Sequence, residues 1–201
     1  MKYENVKPTT YKGMDYRSKL ENRYLIHLKE HINFDIDYEP EVPGLFGYQP
    51  DFVIYPKREK SDYLGEVKPI YVEIKPIRDV TKIFEDSDYD SFREKIYKNW
   101  NRENDLIVFG GKVFGRNHVA AVALCWQGNF PKHYGSYAIH YSIARESNKK
   151  IGLSWHHAEL YTENDHTYPI DCVINDDEKE AVEYIEQSWN KAWSKLQWKP
   201  Q

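Results

Sequence analysis

Two short segments carry two carboxylates and a lysine that adjacent strands could present to one metal ion. Residues 48–55 contain Asp51, and residues 70–76 contain Glu73 and Lys75. The β-branched and aromatic residues around them predict a strand in each segment, and the period of two puts Glu73 and Lys75 on one face. A charge inside an apolar strand loses its hydration and recovers little unless it is paired or bound to a metal. The pattern therefore predicts a functional site.

The chemistry that suits these side chains is metal-dependent cleavage of a phosphodiester bond. Mg²⁺ takes oxygen ligands, normally carboxylates, and lowers the pKa of a bound water. Asp51 and Glu73 supply such ligands. Lys75 can orient or deprotonate the attacking water and stabilise charge that develops on the phosphate. The alternative for Glu73 and Lys75 is a structural cross-strand salt bridge.

A second Glu-X-Lys-Pro lies seven residues earlier, at Glu66-Val-Lys68-Pro69. We prefer Glu73 and Lys75, because the residues directly before Glu73 form a buried strand and those before Glu66 do not. Glu66 and Lys68 are interpreted as a solvated hairpin pair.

A helix precedes the two strands and carries another carboxylate. With Asp15 or Ser18 as its cap, the spacing of apolar residues predicts a helix from Tyr16 to about His31. Glu21 lies on the edge of the apolar stripe, so it should face the core or a cleft beside it. It could ligate a metal, hold a metal-bound water or pair with Lys75.

The remaining pattern predicts an α/β (α+β) core with a mixed sheet. Alternation over residues 34–39 predicts a strand that pairs with the Asp51 strand, so the sheet starts with at least three sequential antiparallel strands. The other expected elements are a loop or β-ribbon over 56–69, a helix from Ser87 or Asp88 to about Trp100, a strand over 106–109, a turn at Gly110-Gly111 and a strand over 118–126.

The C-terminal third is informative only at its end. Residues 128–171 are irregular and receive no assignment. Beyond them, Asn175 or Asp176 can cap a helix with an apolar stripe. We expect that stripe to dock on the body of one domain spanning 1–201, with a dimer contact as the alternative. Its members are Val182, Ile185, Trp189, Ala192 and Leu196.

These residues resemble the PD-(D/E)XK nucleases. The resemblance rests on three motifs in that superfamily's order: Glu21 in Arg17-Ser-Lys-Leu-Glu21, then Pro50-Asp51, then Glu73-Ile-Lys75. A lone Glu-X-Lys carries little information, whereas three elements in order and in context are fairly specific. The likeness covers residues 14–126, and 127–201 would be a C-terminal elaboration ending in an amphipathic helix.

The resemblance implies a restriction-endonuclease-like core, with a central mixed sheet flanked by helices, and hydrolysis of DNA that depends on Mg²⁺ or Mn²⁺. It implies Asp51, Glu73 and Glu21 as metal ligands, with Lys75 completing the catalytic set. The motifs are similar to those of small nucleases of bacteriophages and mobile elements. A branched-DNA (junction) nuclease acting as a homodimer is one subclass. The alternative is a catalytically silent module that kept the fold for binding DNA or protein.

A basic face on the second predicted helix is the candidate contact with DNA. Lys95, Lys98 and Arg102 fall at spacings that share one side of that helix. A solvated cationic face balanced by nearby acidic residues is the alternative. In the 56–69 segment, Lys57, Arg58 and Lys60 could also touch DNA.

The composition argues against several other classes of protein. The chain has 201 residues, 28 Lys plus Arg against 32 Asp plus Glu and a net charge of −4, so no global basic field indicates a polyanionic partner. The start has no apolar core of a signal peptide, and the longest apolar run, 119–126, is too short for a bilayer. We expect no membrane partner and a cytoplasmic location, in a bacterial host cell if the protein is phage-encoded.

Other metal and nucleotide chemistry has less support. His156, His157, His166 and Cys172 lack the ligand spacings of structural zinc sites. Cys125, in an apolar segment, is expected to be a core thiol, and two distant cysteines suit a reducing compartment. Gly110-Gly111 lacks the lysine and serine of a phosphate-binding loop.

Overall fold

The computed structural model describes fifteen stretches of the chain, one of which is the single residue 104. They are 9–12, 14–39, 49–55, 60–61, 65–66, 69–84, 86–99, 104, 106–114, 119–126, 134–144, 151–155, 158–160, 167–169 and 176–196. The turn that Pro43, Gly44 and Gly47 predict between the 34–39 segment and the Asp51 strand lies outside these residues.

Among the described residues, nine strands form one sheet. They are β3 (Asp35–Tyr38), β4 (Phe52–Tyr55), β7 (Ile70–Ile74), β8 (Leu106–Phe109), β9 (Val119–Trp126), β10 (Tyr134–Ala144), β11 (Ile151–Trp155), β12 (Ala158–Leu160) and β13 (Thr167–Pro169). Two small antiparallel pairs stand apart from it: β1 (Thr9–Tyr11) with β2 (Met14–Tyr16), and β5 (Lys60–Ser61) with β6 (Gly65–Glu66).

The large sheet is mixed, as expected. Its strand order is β12-β11-β10-β9-β8-β7-β4-β3, with β13 paired to β10. Strands β3, β4 and β7 are sequential antiparallel neighbours in this sheet, which confirms the predicted start of the sheet. Strand β8 runs parallel to β7, and the chain reaches it through the helical segment between them. That crossover is what a parallel pair requires.

Three α-helices lie in the described part of the chain: α1 (Lys19–Leu25), α2 (Asp90–Asn99) and α3 (Asp176–Leu196). Helix α1 continues directly as a π-helix over Ile26–His31, and 3₁₀ turns cover Val80–Phe84 and Ser87–Tyr89. None of the described helices has the length and apolar character needed to span a membrane.

Helices cover both faces of the sheet, and β8 shows how. Its consecutive residues Val108 and Phe109 belong to two separate buried clusters. Phe109 packs on Tyr24 of α1, with ring centroids 4.9 Å apart. Val108 belongs to the same cluster as Ile83 of the first 3₁₀ turn, and Phe92 of α2 packs against that cluster. Because side chains alternate along a strand, the two clusters fill opposite faces.

Two predicted helix starts need correction. Tyr16 ends β2 rather than opening the helix, since Ser18 is extended (φ −138°, ψ 154°) and its side chain accepts from the backbone N of Glu21 as the N-cap. The second helix begins as the 3₁₀ turn Ser87–Tyr89, and its α-helical part starts at Asp90. The local polar caps decide the boundary in both cases.

The C-terminal segment adds to the same architecture. Strands β10 to β13 extend the sheet where the sequence pattern had no assignment, and the predicted terminal helix is present as α3. Ile185, Trp189 and Ala192 of its stripe are buried. Trp189 packs on Tyr24 at 4.6 Å between ring centroids, and the Arg23 guanidinium lies 3.8 Å from its ring centre. This docking holds α3 against the helix that carries Glu21.

A buried polar network ties the π-helix to the sheet and to α3. The ring of His27 lies 2.8 Å from the Tyr141 hydroxyl at Nε2 and 2.8 Å from Ser188 Oγ at Nδ1. Burial, followed by the charges of His31 and Arg23, lowers the pKa of His27 to about 3. The neutral ring can therefore donate at one nitrogen and accept at the other, which satisfies all three side chains.

The turn after β8 is packed too closely for a side chain at its first position. A Cβ on Gly110 would lie 2.9 Å from the Ile77 carbonyl oxygen and 3.3 Å from Val80 Cβ. The backbone N of Gly111 donates to that same carbonyl at 2.8 Å. These contacts, which we call the clamp, hold the turn against Ile77, two residues after Lys75.

We expect Gly110→Ala to lower the free energy of unfolding by about 1–3 kcal/mol, because the new methyl group must displace backbone. Gly111→Ala is the matched control, since its Cβ would meet nothing closer than 3.5 Å. That variant should stay within about 0.5 kcal/mol of the parent, because its methyl group would make only ordinary van der Waals contacts. Urea denaturation of the three proteins measures both values, and equal stability of the two variants would contradict the clamp.

Candidate active site

The register of β4 against β7 brings the predicted carboxylates together. Phe52 pairs with Val72, so one step further along these antiparallel strands Asp51 stands opposite Glu73. Both side chains are buried, each with 4% of its surface exposed. Pro50 lies two residues before the first residue of β4, where the missing N–H of a proline is tolerated. The two neighbouring strands therefore place two buried carboxylates side by side, where β4 begins and β7 ends.

Asp51 is held by three groups of different kinds. Its Oδ2 accepts a hydrogen bond from the backbone N of Ile74 at 2.7 Å, and its Oδ1 accepts from Nη2 of Arg17. Nζ of Lys75 lies 3.9 Å from Oδ2. Burial and then the neighbouring charge of Glu73 raise the pKa of the Asp51 carboxyl to about 7, against the opposing effects of Lys75 and the Ile74 hydrogen bond. Burial and the adjacent carboxylate therefore both favour the protonated form of Asp51.

Lys75 directly follows β7 and faces the same two carboxylates. Its ammonium is ion-paired with Glu73 Oε2, and its side chain is 20% exposed. The backbone N of Lys75 donates to Phe109 O at 3.0 Å, which extends the parallel pairing of β7 and β8 past the strand end. The ring of Phe92 lies 5.2 Å from Nζ. A backbone hydrogen bond within the sheet and a ring contact from α2 thus position this lysine.

Glu21 is buried near the pair but is joined to it through other side chains. Its Oε1 accepts from Ser18 Oγ at 2.9 Å and its Oε2 accepts from the Tyr38 hydroxyl at 3.1 Å. Nε of Arg17 lies 3.9 Å from Oε2. The predicted inward orientation of Glu21 is confirmed, and its link to Asp51 runs through Arg17.

Arg17 is the site residue to which the sequence pattern assigned no role. Its guanidinium bonds Asp51 and Glu39 and approaches Glu21. Burial lowers the pKa of Arg17, but the charges of Asp51, Glu21 and Glu39 outweigh this effect and leave the pKa raised. One cation therefore serves three carboxylates.

Tyr38 also joins the site. Its hydroxyl accepts from the backbone N of Arg17 at 3.0 Å and donates to Glu21. Burial raises the pKa of Tyr38 to about 12, so the phenol keeps its proton. The available signals were the i,i+4 spacing of Arg17 and Glu21 and the position of Tyr38 at the end of the strand next to the Asp51 strand.

The donor set fits a hard divalent cation, although no group of three or more His, Cys, Asp or Glu in the described ranges is arranged to hold a metal ion. Mg²⁺ keeps several waters and commonly takes only one or two protein carboxylates. Asp51 and Glu73 are two such groups, adjacent and buried, and the raised pKa of Asp51 reflects first its burial and then the repulsion from Glu73. A bound cation would relieve that repulsion.

The competing Glu-X-Lys-Pro lies elsewhere. Glu66 is in β6 and pairs with Lys60 of β5, in a two-stranded ribbon separate from the nine-stranded sheet. Lys68 lies outside the described residues. The preference for Glu73 and Lys75 agrees with this placement.

The predicted DNA-contact residues are only partly described. Lys95 is exposed on α2, Lys98 lies in α2 without a described side chain, and Arg102 is outside the described residues. Arg93 of the same helix donates to the carbonyls of Ile83 and Asp86 at 2.8 Å each, so it stabilises the preceding turns. Also outside the description are Lys57, Arg58, His156, His157, His166 and Cys172, and of Cys125 only the backbone is described, in β9.

Comparison with protein-family models, with curated proteins and with solved structures finds no match for this chain. The geometry of the side chains themselves is therefore the basis on which a function can be assigned.

The raised pKa of Asp51 predicts the pH dependence of stability without metal. An unfolded aspartate ionises near pH 3.8 and the folded one near 7, so between these values the folded protein holds the extra proton. Raising the pH through this window therefore destabilises the parent protein. Asp51→Asn removes that proton equilibrium, and its stability relative to the parent should be higher at pH 8 than at pH 5.

We expect this relative stability to change by at least about 1.4 kcal/mol, the equivalent of one pKa unit. Denaturant unfolding of both proteins in EDTA at the two pH values measures it. A relative stability that stays constant, or that falls between pH 5 and pH 8, would contradict a raised pKa at Asp51.

Proposed function

We propose that this protein is a metal-dependent endonuclease that hydrolyses DNA phosphodiester bonds with a PD-(D/E)XK site on a restriction-endonuclease-like core. The observation that carries the proposal is the buried juxtaposition of Asp51 and Glu73 with the Lys75 ammonium at the ends of adjacent strands. Burying two like charges side by side is costly for a purely structural purpose. Glu21, the fourth member of the expected set, is linked to Asp51 through Arg17.

Each residue has a role that its contacts support. Asp51 and Glu73 would hold Mg²⁺ or Mn²⁺, which when bound acidifies water and stabilises negative charge on the phosphate. Lys75 lies beside both carboxylates, so its ammonium can position the attacking water and balance charge at the reacting phosphate. Glu21 is the auxiliary carboxylate, held in a fixed orientation by Ser18 and Tyr38.

DNA is the proposed substrate, and the basic face of Lys95, Lys98 and Arg102 on and after α2 is the proposed backbone contact. Phosphate contacts of this kind position a nucleic acid without reading its sequence. A structure-specific enzyme, such as a junction nuclease of bacteriophage type, is compatible with that mode of contact.

A catalytically silent binding module is the second candidate, and one observation favours it. Arg17 and Lys75 already pair with Asp51 and Glu73, so the carboxylates are partly neutralised without any metal. Such a protein would bind DNA or a partner protein and would leave every DNA substrate intact.

Cleavage of supercoiled plasmid, linear duplex, single-stranded DNA and a four-way junction tests the proposal. The parent should cut at least one substrate with Mg²⁺ or Mn²⁺ and none in EDTA. Asp51→Asn, Glu73→Gln and Lys75→Ala should each lower the rate by about 10²-fold or more, because each removes a group that acts on the reacting phosphate or water.

Glu66→Gln is the matched control, since Glu66 has the same local motif but lies in the separate ribbon. It should cut at the parent rate. Equal rates for Lys75→Ala and the parent would refute the proposal. Intact substrates combined with a gel shift of DNA by the parent would favour the silent module.

A further inference from the structure

The guanidinium of Arg17 occupies the one oxygen of Asp51 that the backbone leaves available. Oδ2 accepts the Ile74 N–H at 2.7 Å, and Oδ1 accepts from Arg17 Nη2. A carboxylate bound to a hard cation presents an oxygen lone pair to it. A divalent ion that binds Asp51 through Oδ1 therefore meets a positive charge already in contact with that atom.

Charge repulsion makes the two occupants competitors. Two unit charges about 4 Å apart repel one another appreciably even at an effective dielectric constant of about 20, and a divalent ion doubles one charge. Asp51 is buried, so solvent screens this repulsion less than at the surface. The guanidinium and the metal cannot both lie against Oδ1 without a large energetic cost.

Arg17 has a second anchor that would receive it. Its Nε already bonds Glu39, and 53% of its side chain is exposed, so the guanidinium has room to withdraw. Glu39 is held in a left-handed backbone conformation (φ 43°), which is unfavourable for a residue with a side chain.

Two hydrogen bonds hold Glu39 in that conformation. Its N–H donates to Asp51 O at 3.0 Å, and its carbonyl accepts from Gln49 Nε2 at 2.6 Å. The Glu39 carboxylate is thus fixed next to the Asp51 strand, where it can retain Arg17 after the contact with Asp51 is broken.

We propose that Arg17 competes with the divalent metal for Asp51 and so sets the metal concentration at which the site loads. This inference rests on the proposed function, because it needs Asp51 to be a metal ligand. In the metal-free protein Arg17 offsets the charge of Asp51, and on loading it shifts to Glu39 and Glu21. The site would stay closed to metal at low metal concentration.

Mn²⁺ binding without DNA tests the proposal, measured by electron paramagnetic resonance of free Mn²⁺. Arg17→Gln should bind Mn²⁺ about tenfold or more tightly than the parent. Arg17→Met, which keeps the apolar stem, should do the same and serves if Arg17→Gln does not fold. Lys19→Gln is the control for a general loss of positive charge, since Lys19 lies two residues away in α1; it should change the affinity less than twofold.

The outcomes separate this inference from the function on which it rests. If the parent binds Mn²⁺, Asp51→Asn abolishes binding and both Arg17 variants bind as the parent does, competition by Arg17 is refuted and the metal site stands. Equal gains for Arg17→Gln and Lys19→Gln would also refute it, because a general field effect would then explain the change. Absence of Mn²⁺ binding in the parent and in both Arg17 variants would overturn the metal site itself.

Discussion

The requirement to neutralise two adjacent buried carboxylates governs this part of the molecule. Asp51 and Glu73 are each 4% exposed and stand opposite one another on neighbouring antiparallel strands. Water hydrates neither carboxylate well, so the surrounding structure supplies positive charge and N–H groups instead. Lys75 approaches both carboxylates, Arg17 bonds Asp51, and the N–H of Ile74 donates to its second oxygen. Two cations, Arg17 and Lys75, face four carboxylates at this site, those of Asp51, Glu73, Glu21 and Glu39, and we propose that a divalent cation binds to the remaining negative charge.

The fold fixes these groups through backbone pairing rather than through side-chain packing alone. The parallel partner β8 receives the N–H of Lys75 at Phe109, and the clamp at Gly110 holds the chain that leaves the site. On the other side, the cap at Ser18 sets where α1 begins and thereby places Glu21 beside Arg17. The docking of α3 on Tyr24 and Arg23 stiffens that helix. The C-terminal segment therefore supports the element that completes the site.

Much of this arrangement follows from the sequence, and the exceptions have physical causes. The strands around Asp51 and Glu73 were predictable because alternation and β-branched residues mark them locally. Strands β10 to β13 were not, since Gly, Asn and His residues interrupt the alternation in this region and β13 pairs with β10 rather than with its neighbour in sequence. The site role of Arg17 was missed because it depends on three carboxylates from separate elements meeting at one point. Residues that act through tertiary contacts leave only a weak trace in spacing.

The most direct test of the account is a crystal structure of the protein soaked with Mn²⁺, with the anomalous signal used to locate the ion. We predict one principal peak in direct contact with carboxylate oxygens of Asp51 and Glu73, with the Arg17 guanidinium moved from Asp51 toward Glu39. A peak remote from these residues, or none while Lys75 and Arg17 keep their present partners, would contradict the claim that the buried pair is a divalent-cation site.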